Sequence, residues 1–295
     1  MKAKIFRSFL LLLIVLLLPL TLAGCGNKAT VQGTLNSLIP WGVSEEFTYD
    51  IYDEESPEFK KEKKEAVGTY KVTLKKHLAN EEFNLLKKDT ENKVSYSYET
   101  IEIIQKLEKG TTTITHQSVI RIAGGDTLHS PIFASKTVTK DTKITYFAFS
   151  DFTKKKITGV VNGKNVKIDR KKIMFDNAQL HQLIRSTSEL KNLVFNFVMS
   201  TFENNTITSN SITVENKKER KGKEVFYNTN WHEYKAYELE IRKNTKLISN
   251  PQKIYLCEAL KYKNWEIKNP VVRFEEYKGE TDKKIIYELK DYKLI

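Results

Sequence analysis

The sequence predicts a mainly β, α+β fold: a curved antiparallel sheet or half-barrel with one or two helices packed on it. Three observations predict it. Apolar and polar residues alternate through most of the chain, turn residues separate the alternating runs, and one stretch carries clear helical spacing. A period of two places one set of side chains on a buried face.

The alternating runs come in order. Tyr70, Val72 and Leu74 open the pattern, and Val94, Tyr96 and Tyr98 continue it before the phase changes to Ile101 and Ile103. Ile114, His116, Ser118, Ile120 and Ile122 follow, then Ile144, Tyr146 and Ala148 with Phe147 and Phe149 on the other face. Later runs are Tyr237, Leu239 and Ile241, then Val272 and Phe274, then Ile285, Tyr287 and Leu289. Val160-Val161-Asn162-Gly163-Lys164 is the clearest hairpin, because Asn and Gly tolerate the positive φ of a tight two-residue turn. Lys109-Gly110, Gly124-Gly125-Asp126 and Lys278-Gly279 mark further turns.

Helical spacing begins at Asp176, a side chain suited to capping a helix start. Leu180, Leu183 and Ile184 then share one face, which predicts a helix over Asp176 to Ser188. From Leu190 to Phe202 the spacing fits a helix while the Phe and Val content fits a strand, and both readings stand. The charged block Asp53 to Glu65 reads as an exposed loop or short helix and not as a site.

The first residues set the expected compartment. Lys2, Lys4 and Arg7 precede an apolar run from Phe9 to Leu20, and Leu22-Ala23-Gly24-Cys25 follows. A charged start, an apolar core and small residues before a cut site form a secretory signal peptide. The run is short of the ~20 apolar residues of a comfortable span. The tetrapeptide resembles the lipobox of bacterial lipoproteins. That resemblance implies a diacylglycerol group on the Cys25 thiol, cleavage just before it, and an extracytoplasmic, lipid-anchored protein at the cell membrane or envelope surface. Two acyl chains anchor stably where one is marginal. The expected division is a signal peptide over 1–24, a lipidated tether over 25–40 and a β-rich domain over 41–295, with two sub-regions dividing near 130.

Composition narrows the function. Losing the signal removes three positive charges and lowers the formal balance from +12 to +9. Lys and Glu are interspersed as on a solvated face, and no Arg-rich stretch suggests nucleic acid. Once Cys25 is lipidated, Cys257 stands alone in a strand-like run and reads as a buried, inert thiol. None of His77, His116, His129, His181 and His232 has a second His or Cys at metal-ligand spacing, so neither a metal nor a cofactor is expected. His116 reads as a strand residue, His181 as a partly exposed helix residue, and His77 with Glu81 as a local pair. The chain has no G-x-S-x-G elbow, Walker loop or G-x-G-x-x-G.

The C-terminal half, roughly Ser130 to Leu294, resembles the Lol lipoprotein-carrier superfamily of LolA- and LolB-like half-barrels. Pro270-Val271-Val272-Arg273-Phe274-Glu275 leads to Gly279 and returns as Ile285-Ile286-Tyr287-Glu288-Leu289, and Asp176 opens a helix carrying Leu183, Ile184 and Arg185. The resemblance implies an apolar concavity and no catalytic residue. Candidate lining residues are Tyr146, Phe195, Phe197, Tyr237 and Tyr255, while Trp41, Trp231 and Trp265 fit either core or interface. The leading expectation is a non-enzymatic envelope lipoprotein binding an apolar or lipid-like ligand or a protein partner through its curved sheet. The alternatives are a structural or interaction lipoprotein with no pocket, or an envelope hydrolase with two carboxylates or a Ser/His pair converging in a cleft.

Overall fold

The computed structural model describes residues 44–61, 64–87, 90–122, 129–170, 174–187, 194–203, 206–222, 234–243, 252–257, 259–262, 265–278 and 281–295. The lipobox with Cys25, the tether, Trp41, Trp231, Gly124-Gly125 and His232 lie outside them.

The first half is a run of strands: β1 (Glu45–Asp53), β2 (Gly68–His77), β3 (Phe83–Lys87), β4 (Thr90–Val94), β5 (Thr100–Lys109), β6 (Thr112–Arg121), β7 (Ser130–Lys140), β8 (Lys143–Asp151), β9 (Lys156–Val161) and β10 (Lys164–Asp169). After β11 (Met174–Asp176) comes the helix α1 (Leu180–Arg185). The second half is β12 (Val194–Glu203), β13 (Thr206–Gly222), β14 (Tyr234–Lys243), β15 (Gln252–Cys257), β16 (Ala259–Tyr262), β17 (Trp265–Lys268), β18 (Val271–Tyr277) and β19 (Lys284–Leu294).

Fifteen of these strands form one curved sheet in the order β10-β9-β8-β7-β6-β5-β2-β1-β19-β18-β15-β14-β13-β12-β11. The chain meanders outward from β1 to β10, crosses to β11 at the opposite edge, and meanders back until β19 pairs with β1. Neighbours are antiparallel except β11 and β12, which run parallel. β6, which ends before residue 130, and β7, which begins at it, pair from Thr112↔Lys140 to Arg121↔Ser130. Bulges at Thr48/Tyr49, Val119/Ile120, Val138/Thr139 and Tyr255/Leu256 add the local bend that a strongly curved sheet needs.

Curvature brings the two far edges together. Ala134, Ala148, Ile157 and Val161 from one arm pack with Met174, Phe202 and Ile207 from the other. The main core fills the concave side. In β1 the burial alternates strictly, so Phe47, Tyr49 and Ile51 point inward, and Val72, Leu74, Ile103, Leu239, Leu256 and Phe274 join them around Leu180, Leu183 and Ile184 of α1. The helix is therefore a plug inside the sheet.

The helix is shorter than the predicted Asp176–Ser188. Asp176 ends β11 and caps a 3-10 turn over Asn177–Gln179, accepting from Ala178 N at 2.9 Å while the Gln179 side chain accepts from Asp176 N at 2.8 Å. α1 stops at Arg185 because Asn269 donates from Nδ2 to the carbonyls of Arg185 and Thr187, taking the bonds a further turn would need. The ambiguous stretch is a strand from Val194 onward, paired along β13 from Val194↔Glu215 to Glu203↔Thr206.

One ion pair ties plug to sheet. Arg185 Nη1 donates to Glu45 Oε1 at 2.6 Å, with both side chains about 2% exposed. Arg185 also donates to the carbonyls of Asn269 and Lys268 and stacks over the Phe47 ring, and Tyr292 donates to Glu45 Oε2. The charges are thus held by further hydrogen bonds, the condition under which a buried pair is tolerated.

The charged block needs a correction at its first residue. Pro57–Lys60 is a short exposed 3-10 turn, but Asp53 is buried at the end of β1 and receives Lys109 at 2.8 Å and Lys278 at 2.5 Å. Burial opposes its charge, yet these lysines hold its carboxyl down to about 2. On the convex side the hairpin β3–β4 lays Phe83 and Leu85 over Val119, Ile132 and Phe133. His77 stacks on Phe83 at 4.1 Å and contacts both Glu81 and Glu102 at 3.2 Å. Burial opposes its charge as well, but the two carboxylates raise its pKa. Cys257 is a buried strand residue whose thiol is pushed up by burial, as the sequence suggested.

Two predictions follow from these contacts. Arg185→Met is expected to lower unfolding free energy by about 3–5 kcal/mol in chemical denaturation, since it strands a buried carboxylate. Adding Glu45→Gln should recover at least half of that loss, and a pair of independent, additive losses would refute the coupling. The β7–β8 turn sets Asp141 at φ 47° and Thr142 at φ 69°, the left-handed region that a β-branched residue strongly disfavours. The double change Asp141→Asn/Thr142→Gly, which copies the Asn162-Gly163 turn, should stabilise the protein by about 1 kcal/mol, read as a raised thermal midpoint.

Candidate functional site

The plug does not fill the concavity completely. Between α1 and the inner face of the sheet lies a cavity of about 180 Å³. Its walls come from both arms: Tyr70, Gln105, Leu107, Ile114, His116 and Lys136 on β2 and β5–β7, and Gln252, Phe274, Glu276 and Tyr287 on β15, β18 and β19. Asn177, Leu180 and His181 close it.

Register explains the lining. Gln105, His116 and Lys136 are cross-strand partners in one inward row. Phe274 and Tyr287 are partners in another, beside Ile51. The rings form a panel: Phe274 stacks on Tyr287 at 4.0 Å, and Tyr70 meets both edge-on at 5.6 and 5.5 Å. Glu276 is oriented by two donors, Gln252 Nε2 at 3.0 Å and the Tyr287 hydroxyl at 3.3 Å. Burial pushes the Tyr70 and Tyr287 hydroxyls up, so both stay neutral donors.

Two histidines face this space. His116 Nε2 lies 3.2 Å from the helix-capping carboxylate of Asp176, but its orientation makes no hydrogen bond there. His181 meets the Phe274 ring edge at 4.6 Å. It keeps some accessible surface, as the sequence suggested, but that surface borders the cavity. Burial, aided by the charge of Arg185, pulls it from 6.5 down to about 4, so it is neutral at pH 7.

A second, more open space of about 690 Å³ lies on the convex side. Lys87 and Asn92 of the β3–β4 hairpin border it, with Phe147, Phe149 and Asn162 opposite. Ile144, also on its rim, is 42% exposed.

The residues proposed from sequence are not gathered in one place. Tyr146 packs against the edge cluster and borders the convex groove. Tyr237 is buried in the main core. Tyr255 is half-buried, packs against the main core, and donates to Glu275 beside Arg273. Phe195 and Phe197 fall in β12, and their side chains lie outside the described residues. Sequence reasoning placed Tyr70, Phe274 and Tyr287 in strands but did not connect them, because their meeting depends on β1 and β19 pairing across the whole chain.

Among the described residues no helix is long and apolar enough to cross a membrane, and no group of three or more His, Cys, Asp or Glu could hold a metal ion. His181 makes the site pH-sensitive. Its folded-state value is depressed, so stability is complete above about 6.5 and is lost as pH falls toward 4, where the unfolded chain takes up the proton first. His181→Gln should flatten that part of the stability profile, measured as denaturation midpoints at pH 7 and pH 4.5. An unchanged slope would place the acid sensitivity elsewhere.

No family model matches the chain, and no curated protein matches it. Among solved structures, it is similar to a beta-barrel-like protein of a domain of unknown function, DUF1849, from Brucella abortus, with 10% identity over 86% of this chain and 98% of that one and a TM-score of 0.45.

Proposed function

We propose that this chain is a non-enzymatic envelope lipoprotein, anchored by diacylglycerol on Cys25, that binds a small ligand in the cavity beneath α1. The cavity is the observation that carries the reading. It is the space left between plug and sheet, it combines an aromatic panel with a few oriented polar groups, and such a combination is the usual makeup of a ligand site.

Its size refines the expectation drawn from the Lol resemblance. Ligand pockets for drug-sized molecules run about 300–1,000 Å³, and about 180 Å³ is smaller. With α1 packed into the concavity, an extended acyl chain has no room without displacing the plug. The ligand is therefore compact and amphipathic. A protein partner is a second reading, favoured by the convex groove and the exposed Ile144 on its rim.

Two measurements test the anchor and the site separately. Cys25→Ser should abolish incorporation of labelled fatty acid and shift the chain out of the membrane fraction, and unchanged partitioning would remove the lipoprotein reading. Native mass spectrometry of the full chain released gently from its producing cell should reveal a small-molecule adduct. Leu107→Trp, which fills the cavity at a packing cost of about 1–3 kcal/mol, should eliminate that adduct. An adduct that persists undiminished would place binding elsewhere.

A further inference from the structure

The β3–β4 hairpin is fastened to the molecule without joining its main sheet. Among the described strands, β3 and β4 pair only with each other. A two-stranded hairpin is marginal by itself in water, so docking holds this one in place. Phe83 and Leu85 lie over Val119, Ile132 and Phe133. The Gln117 side chain bonds the β3 backbone as a neighbouring strand would: its Oε1 accepts from Leu86 N at 2.8 Å, and its Nε2 donates to Asn84 O at 3.0 Å.

We propose that this hairpin is a flap latched to the convex face by protonated His77, and that loss of that proton releases it. The proposal is independent of the cavity beneath α1.

Two routes run from His77 to the hairpin. The ring stacks on Phe83 at 4.1 Å and 9°. Its Nε2 lies 3.2 Å from Glu102 Oε2, and Glu102 Oε1 accepts at 2.5 Å from the same Gln117 Nε2 that holds Asn84. On its other side, Nδ1 lies 3.2 Å from Glu81 Oε1, while Glu81 Oε2 accepts from Leu78 N at 2.7 Å in the turn that leads into β3. The charged groups against the ring are thus Glu81 from that turn and Glu102 from β5. Lys76 of β2 is paired with Glu99, Arg121 of β6 lies over the Tyr98 ring, and Lys75, opposite Glu102 in the ladder, is exposed to solvent.

A protonated imidazole donates from both nitrogens, one to each carboxylate. The neutral ring keeps one donor. Its other nitrogen then sets a lone pair against a carboxylate oxygen, and the buried Glu102 no longer faces a cation there. Burial disfavours the charged ring, yet the two carboxylates raise its affinity for the proton. Because the folded-state value is raised, the latch contributes fully below about 6.5 and is lost as pH rises through that raised value. Release uncovers Val119, Ile132 and Phe133 and takes Lys87 and Asn92 away from the rim of the convex groove.

Hydrogen–deuterium exchange of the full chain, read by mass spectrometry and corrected for the intrinsic rate at each pH, tests the latch. Between pH 6 and pH 9 the amides of β3 and β4 should lose protection at least about tenfold, the size of one hydrogen bond to a charged group, while those of β5 and β6 hold theirs. His77→Gln should show the low protection at both pH values. His77→Arg, which keeps a planar charged donor against Phe83 and the two carboxylates, should show high protection at both. Glu81→Gln, an exposed change, should move the release to lower pH, and it decides the matter if either His77 variant fails to fold by thermal midpoint. Constant hairpin protection in the unaltered chain overturns the proposal. So does a loss shared equally by β5 and β6, one that persists undiminished in His77→Arg, or one with the same midpoint in Glu81→Gln.

Discussion

The fold depends on a charge that has nowhere else to go. Arg185 ends the plug helix inside the curved sheet, about 2% exposed, and its partner Glu45 is the first residue of the first strand. An isolated guanidinium in that position would be prohibitively costly, and the carboxylate, the Gln182 side-chain oxygen and the carbonyls of Lys268 and Asn269 together make it tolerable. Those partners come from the start of β1, the end of β17, the turn before β18 and, through Tyr292, the end of β19. One side chain thus requires that the two ends of the meander meet where β1 pairs with β19. Replacing the pair by apolar residues of equal volume need not weaken the fold, so its role is to specify the arrangement as much as to add stability.

The cavity follows from the same arrangement. Strong curvature, helped by bulges, leaves a concave volume that strand side chains alone would not fill. α1 takes most of it with Leu180, Leu183 and Ile184. It is only six residues long because Asn269 caps it, and a helix that short covers one end of a sheet of this width. The remainder is lined by whatever the inward rows present there: Phe274 and Tyr287 with Glu276 on the β18–β19 side, and Gln105, His116 and Lys136 with Leu107 and Ile114 on the β5–β7 side.

Much of this was legible in the sequence. Alternation in Tyr70-Val72-Leu74 and Ile285-Tyr287-Leu289 identified strands correctly, because the inner face of one curved sheet is buried almost everywhere. Asn162-Gly163 gave its hairpin away because the residue types are those the backbone requires, whereas Asp141-Thr142 adopts the same positive φ with a residue pair that carries no such signal. Asp53 was misjudged because its neighbours are charged. What buries it is Lys109 and Lys278, which are remote in sequence and brought together by sheet order. The cavity was invisible for the same reason. A strand pattern says which residues share a face, but choosing among Tyr70, Tyr146, Tyr237 and Tyr255 requires knowing which strands are neighbours across the β1–β19 junction.

Sheet register also fixes how the buried ion pair and the cavity relate. Glu45 begins β1. Tyr70 lies opposite Tyr49, Tyr287 opposite Ile51, and Glu276 pairs with Ile285, which lies opposite Asp53. The cavity is therefore level with the second half of β1. At ~3.4 Å per residue, Ile51 is roughly 20 Å along the strand from Glu45. That separation is rigid, since β1 is hydrogen-bonded on both sides and its first side chain is locked to the plug. The cavity is therefore held at a fixed distance along β1 from the point where that strand meets the plug.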